Sequence, residues 1–257
     1  MNFDCRVKTL LILVITILAT FAYALMPEEV NITLKQIDIS NLKPDTTTTS
    51  NATPTDTTAV DTVKTVDQSS HRILFLGDSM VEGLMRRFGD YAEENNHQLD
   101  VICWYGSNTN VWANTGTLKH YINKYSPTYI VISLCGNELF VRDLPQRDKY
   151  IAKIIETIDT IPFVWISPPN WKPDTGINDL IIKNVGPSRY FDSRNLQLQR
   201  GKDHMHPTFS AAAVWMDSIA VWLSGMDTAH PIRMDVPKGS HKPHSVNIHA
   251  PNFKGIN

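Results

Sequence analysis

Cysteine is scarce: 257 residues contain three. That is too few for a disulfide scaffold, and a chain of this length can build a core without one. An excess of charge is also missing. Twenty-four basic and 26 acidic residues give a formal net charge of −2, whereas a general nucleic-acid binder carries a basic stripe. Twelve glycines and 15 prolines exclude a collagen or a low-complexity chain. The balance, 42% hydrophobic and 19% charged, is that of a globular protein. At roughly 150 residues per domain, the length allows one domain with attachments or two small ones.

These averages hide an uneven chain. Arg6 and Lys8 precede an apolar run from Leu10 to Met26, broken only by Thr16 and Thr20. A basic start followed by such a run reads as an export signal. Ala22-Tyr23-Ala24 offers a small-x-small cleavage site near Ala24. The run also stands at the lower edge of bilayer-spanning length, so an uncleaved anchor formed by residues 10–26 is the competing reading. Either way the rest of the chain is expected outside the cytoplasm, periplasmic or on the cell surface. No cysteine directly follows the run, which argues against a lipid-anchored product.

Residues 27–70 are rich in Thr, Asp and Pro and lack aromatics. Such a stretch buries too little apolar surface to offset its ordering entropy and is expected to be a disordered tether. As a random coil it would span roughly 35–40 Å. Asn31 and Asn51 each begin an Asn-x-Thr sequon. The last residues, 226–257, carry four of the nine histidines with several prolines and lysines. They read as a loosely ordered tail, and no carboxylate or cysteine cluster at ligand spacing joins His241 and His244.

Between the ends, 71–225 alternates strand and helix. Short apolar runs lie at Arg72–Gly77, Leu99–Tyr105, Tyr129–Leu134 and Pro162–Ser167, with a short fifth at Arg189–Phe191. Helical spacing joins Leu84, Met85 and Phe88, then Leu118, Tyr121, Ile122 and Tyr125, then Ile151, Ile154, Ile155 and Ile158. Ala211 to Leu223 closes the region as a helix stopped by Gly225. Apolar strands alternating with amphipathic helices predict an α/β fold: a three-layer α/β/α sandwich on a flavodoxin-like parallel sheet of about five strands. Such sheets bind ligands outside the carboxyl ends of their strands.

Those ends hold a recurring chemistry. After strand one comes Gly77-Asp78-Ser79, a serine at a strand-to-helix turn beside free helix N–H groups. A helix N-cap is the plainer reading of that serine. After strand three comes Gly136-Asn137-Glu138, either an amide donor aimed at the same place or ordinary turn chemistry. Asp203-His204-Met205-His206-Pro207 precedes the last helix. A serine nucleophile needs a base and the base an orienting carboxylate, and Asp203 and His206 lie one short turn apart. His204 competes for the base, and an Asp-His-x-His metal site is a further reading.

The sequence here resembles the SGNH, or GDSL-type, hydrolases. Ser79 matches their nucleophile block, Gly106 their glycine block, Asn137 their asparagine block, and Asp203 with His206 their Asp-x-x-His block. The resemblance covers 71–225 with the blocks in order. It implies that Ser79 attacks an ester carbonyl, that His206 is general base and then acid, and that Asp203 orients His206. It also implies an oxyanion hole from the N–H groups of Ser79 and Gly106 and the Asn137 amide, with no cofactor and no metal. Gly77-x-Ser79-x-Val81 lacks the second glycine of the α/β-hydrolase elbow. The third block departs from the family's Gly-x-Asn-Asp: Cys135 stands at the glycine position and Glu138 at the aspartate position, or the glycine has shifted to Gly136. The family's strand order puts strand one between strands two and three, so Cys103 and Cys135 are expected free and buried, too far apart to bridge.

Among strand-end aromatics, Trp112 and Trp171 are the candidate substrate-binding residues, with core packing as the plain alternative. The leading expectation is an exported esterase that removes O-acetyl groups from a carbohydrate of the envelope or diet. A polysaccharide O-acetyltransferase using the same residues and a catalytically silent glycan-binding relative are the alternatives. No nucleic-acid partner is expected, and the membrane is a partner only if the N-terminal run is uncleaved.

Overall fold

The computed structural model describes residues 64–256. The signal or anchor expected at 1–26, and the tether up to residue 63, lie outside the described residues.

Six parallel strands form one sheet in the order β5-β4-β3-β1-β2-β6. They are β1 (Arg72–Gly77), β2 (Gln98–Trp104), β3 (Tyr129–Ser133), β4 (Phe163–Ile166), β5 (Tyr190–Phe191) and β6 (Ser245–His249). The helices between them are α1 (Met80–Glu94), α2 (Thr109–Asn114), α3 (Thr117–Tyr125), α4 (Leu144–Ile158), α5 (Ile177–Val185) and α6 (Phe209–Leu223). Successive strand residues point to opposite faces, and each face meets its own helices. Leu74, Leu76, Ile130 and Ile132 pack with α2, α3, α4 and α5. Ile73, Phe75, Tyr129 and Val131 pack with α1 and α6. This is the expected three-layer sandwich with a flavodoxin-like order. Each fully buried Leu, Ile or Phe contributes roughly 1.5–3 kcal/mol, which is why strands covered on both sides read as unbroken apolar runs.

The C-terminal residues depart from the loose tail expected for them. β6 pairs in parallel with β2, Asp100 opposite Ser245 and Trp104 opposite His249. Its polar face is held by specific partners: the Asp100 carboxylate accepts from the Ser245 hydroxyl at 2.5 Å, and the Tyr121 hydroxyl meets His249 Nε2 at 2.6 Å. The Trp104 indole N–H donates to the Asn252 carbonyl at 2.9 Å. The end of the expected tether is also fastened, since the Asp67 N–H donates to the Pro231 carbonyl at 2.8 Å. The compact fold therefore extends beyond 71–225 at both ends, and the sheet has six strands.

Cys103 and Cys135 are free and buried, as expected. Cys103 lies on β2, Cys135 follows β3, and β1 runs between. Among the described residues no helix is long and apolar enough to cross a membrane.

Candidate active site

The carboxyl ends of β1, β2 and β3 converge because the strands are neighbours. At the end of β1 the chain needs glycine at Gly77, where a Cβ would lie 1.7 Å from the Ser133 carbonyl oxygen of β3. Two residues on, Ser79 stands at the entrance to α1 with helical φ −61° and ψ −18°, and its side chain makes no cap hydrogen bond. Ser79 thus occupies the N-cap position, but its hydroxyl does not cap the helix. The hydroxyl instead lies 2.8 Å from His206 Nε2.

The carboxylate that fastens this turn is Asp78. Its side chain is fully buried and accepts from the Met80 N–H at 3.0 Å and the Gly136 N–H at 2.8 Å. One carboxylate thus ties the serine turn to the turn that carries Asn137. Burial pushes its pKa up to about 6, against the two N–H bonds, which favour the ionised form. The sequence pattern gave Asp78 no such role, because its second partner is remote in the chain.

Asn137 lies in a short 3-10 turn, Gly136–Glu138. Its amide donates to the Ser107 carbonyl at 3.0 Å, which joins the turn after β3 to the turn after β2. Gly106 makes the latter turn with a left-handed φ of +69°, a conformation glycine adopts without steric cost. Among the described residues, neither the Ser79 nor the Gly106 backbone N–H donates to a protein acceptor.

The altered third block keeps a glycine-type backbone. Cys135 itself adopts the left-handed conformation, φ +85° and ψ 9°. That costs a non-glycine residue roughly 1–2 kcal/mol. Space at Gly136 is tight, since a Cβ there would stand 3.1 Å from Asp78 Oδ2. Glu138, 2% exposed, fills the aspartate position and bridges three elements. It accepts from the Thr109 N–H and hydroxyl, both at 2.8 Å, and pairs with Arg147 Nε at 3.0 Å. Burial raises its pKa despite these partners.

The histidine half stands on the loop before α6. Asp203 Oδ2 meets His206 Nδ1 at 2.6 Å, and Asp203 Oδ1 accepts from the Met205 and His206 N–H groups at 2.9 and 3.0 Å. The His206 bond, then these two N–H groups, hold the Asp203 carboxyl well below the usual carboxylate range. Both ring nitrogens of His206 are thus engaged, one by Asp203 and one by Ser79. His204 is exposed with φ +59°, and the bond to Ser79 belongs to His206. Arg200 braces the loop: its guanidinium donates to the Met205 carbonyl and, at 3.1 Å each, to the Pro169 and Asn170 carbonyls.

No family model matches this sequence, and no curated protein does. Among solved structures, a gut microbial diltiazem-metabolizing enzyme is similar at 13% identity and a TM-score of 0.45. The match covers 62% of this chain and 48% of that one, so the chain spans about half that enzyme's length.

Beside Ser79 and His206 opens a cleft of about 440 Å³, walled by Tyr105, Pro207, Phe209 and Ala212 among others. Sequence reading put Trp112 among the substrate contacts, and the structure corrects this. Trp112 is 1% exposed, packs edge-on against Trp104 at 5.4 Å, and donates its indole N–H to Ser107 Oγ at 3.0 Å. It is a core residue under the Gly106 turn. Trp171 is half-buried, edge-on to the exposed Phe140 at 5.9 Å and beneath Arg200, and does not line the cleft. The aromatics that do line it include Tyr105 and Phe209, neither of which was a substrate-binding candidate from the sequence.

Proposed function

We propose that this chain is a serine ester hydrolase of SGNH type that removes acyl groups, foremost O-acetyl groups, from carbohydrate or a similar polyol. The observation that carries the reading is the continuous chain of hydrogen bonds Ser79–His206–Asp203, at 2.8 and 2.6 Å. In this reading His206 Nε2 takes the Ser79 proton as Oγ attacks the ester carbonyl. Asp203 holds the ring tautomer with Nε2 free to accept and stabilises the imidazolium that forms. The Ser79 and Gly106 N–H groups and the Asn137 amide receive the oxyanion, each such donor being worth about 3–4 kcal/mol of barrier. His206 then protonates the leaving alcohol, and water, activated by the same imidazole, releases the acid and restores Ser79.

Export by the N-terminal run is part of this proposal, with the domain held at or beyond the membrane. The intact Ser–His–Asp chain favours catalysis over a silent binding relative. Acetyl transfer to a sugar uses the same groups and is separated by products.

The test is turnover of p-nitrophenyl acetate and of acetylated glycans by the purified chain beside Ser79→Ala. The proposal expects free acetate and a loss of about 10⁴-fold or more in the variant. Equal turnover by both proteins contradicts it. Acetate found on an acceptor sugar instead of in solution identifies the transferase.

A further inference from the structure

The cleft beside Ser79 holds one acidic group that the reaction above does not use. Glu82 lies in the first turn of α1, one turn beyond Ser79, and lines the cleft with Tyr105. It is half-buried and forms no ion pair among the described residues. Burial first, and then the neighbouring Glu82 carboxylate, push the Tyr105 hydroxyl up to about 12. No lysine or arginine lines the cleft, and its other carboxylate, Asp203, is committed to His206. Arg86, one turn beyond Glu82 on α1 and outside the lining, holds its guanidinium 4.3 Å from the centroid of the Phe209 ring. The remaining lining is largely apolar or aromatic, including Met80, Phe209, Ala212 and the almost wholly buried Trp215.

A carboxylate beside aromatic faces is the chemistry that receives an alkylammonium group. The ring quadrupoles attract the cation and the carboxylate balances its charge, more strongly as a seated substrate displaces water. An acidic substituent in the same place meets like charge at short range. A position in the first turn of a helix suits any acid. That alone does not explain an acid that neighbours only the Tyr105 hydroxyl, without an ion pair among the described residues, on the wall of the space beside the nucleophile.

We propose that Glu82 makes this cleft a subsite for the positively charged part of an ester substrate, such as an amino sugar or a quaternary amino alcohol. The proposal rests on the reading of Ser79 as the nucleophile. It makes Glu82 a specificity-determining residue, which leaves the bond-breaking steps as described above.

Charge-matched ester pairs test it on either side of the ester. On the alcohol side the pair is choline acetate and 3,3-dimethylbutyl acetate. On the acyl side it is the p-nitrophenyl esters of 4-trimethylammoniobutyrate and 5,5-dimethylhexanoate. The expected result is a preference of about tenfold in kcat/KM for the cation in at least one pair, falling to near one in Glu82→Gln and reversing in Glu82→Lys. Because each ratio is taken within one protein, partial misfolding of a variant cancels. The same ratios in wild type and Glu82→Gln overturn the proposal. Turnover that persists in Ser79→Ala instead overturns the nucleophile reading. If no ester turns over, titration of the full chain with choline and with 3,3-dimethylbutanol decides. Choline binding that weakens about tenfold in Glu82→Gln upholds the subsite, and equal binding of the two alcohols overturns it.

Discussion

The half-buried Ser79 is anchored from the interior of the molecule, whereas Asp203 and His206 stand on a loop in contact with water. The serine turn is fixed from below by the fully buried Asp78, which grips two backbone N–H groups from different strand ends. The histidine loop is fixed by its own short-range bonds, with Asp203 gripping the two residues just before and at His206. The two carboxyl groups respond in opposite directions. Burial raises Asp78, whereas hydrogen bonding at an exposed site lowers Asp203. The position of the nucleophile is therefore bound up with global stability, and the position of the base is not.

The largest expected effect probes the exposed half. His206→Ala should lower kcat by about 10⁵–10⁶-fold, and Asp203→Ala by roughly ten to a hundred times less, since water can partly orient the imidazole. Neither change should move the melting temperature by more than a few degrees, because neither residue is a core residue. Steady-state kinetics with parallel thermal melts check this, and a large fall in melting temperature for either variant would erase the contrast between the halves.

The buried half is probed through pH. The folded-state pKa of Asp78 is raised to about 6 from an ordinary value near 4. The folded protein thus holds this proton more tightly than the unfolded chain. Its contribution is complete below about pH 4 and is lost as pH rises through about 6. The stability of wild type minus that of Asp78→Asn should therefore shrink by about 2–3 kcal/mol between pH 4 and 7 and then level off. Urea unfolding at a series of pH values measures it, and a difference that grows with pH contradicts the assignment.

A smaller effect tests the turn after β3, which Asp78 ties to the serine turn. Cys135 is fully buried in a left-handed conformation. Both Cys135→Gly and Cys135→Ala remove the sulfur, but only glycine relieves the backbone. The glycine variant should be the more stable of the two by about 1 kcal/mol, the reverse of the usual order. Denaturant midpoints compare them directly.

Much of the fold was legible because its strands are buried on both faces and its helices carry apolar stripes. The juxtaposition of Ser79, His206 and Asp203 was also legible, since Ser79 follows an apolar strand and Asp203 and His206 lie one short turn apart. β6 was missed because Ser245-Val-Asn-Ile-His alternates polar and apolar residues over only five positions and looks like a tail. Its partners, Asp100, Tyr121 and Tyr125, are remote in sequence. The alternation itself, bounded by Pro243 and Pro251, was the available signal. Trp112 was misplaced because a strand-end loop was expected where the chain forms α2 and turns the indole under the sheet edge. The roles of Asp78 and Glu138 had no local signature at all. Each depends on N–H groups that only the folded sheet brings near.

The proposed nucleophile is open to a direct measurement: labelling with a fluorophosphonate, followed by peptide mapping. A serine activated by His206 should give one adduct, on Ser79, at a rate that falls at least a hundredfold in His206→Ala. An adduct on another residue, or labelling of Ser79 at an unchanged rate in His206→Ala, would contradict the account.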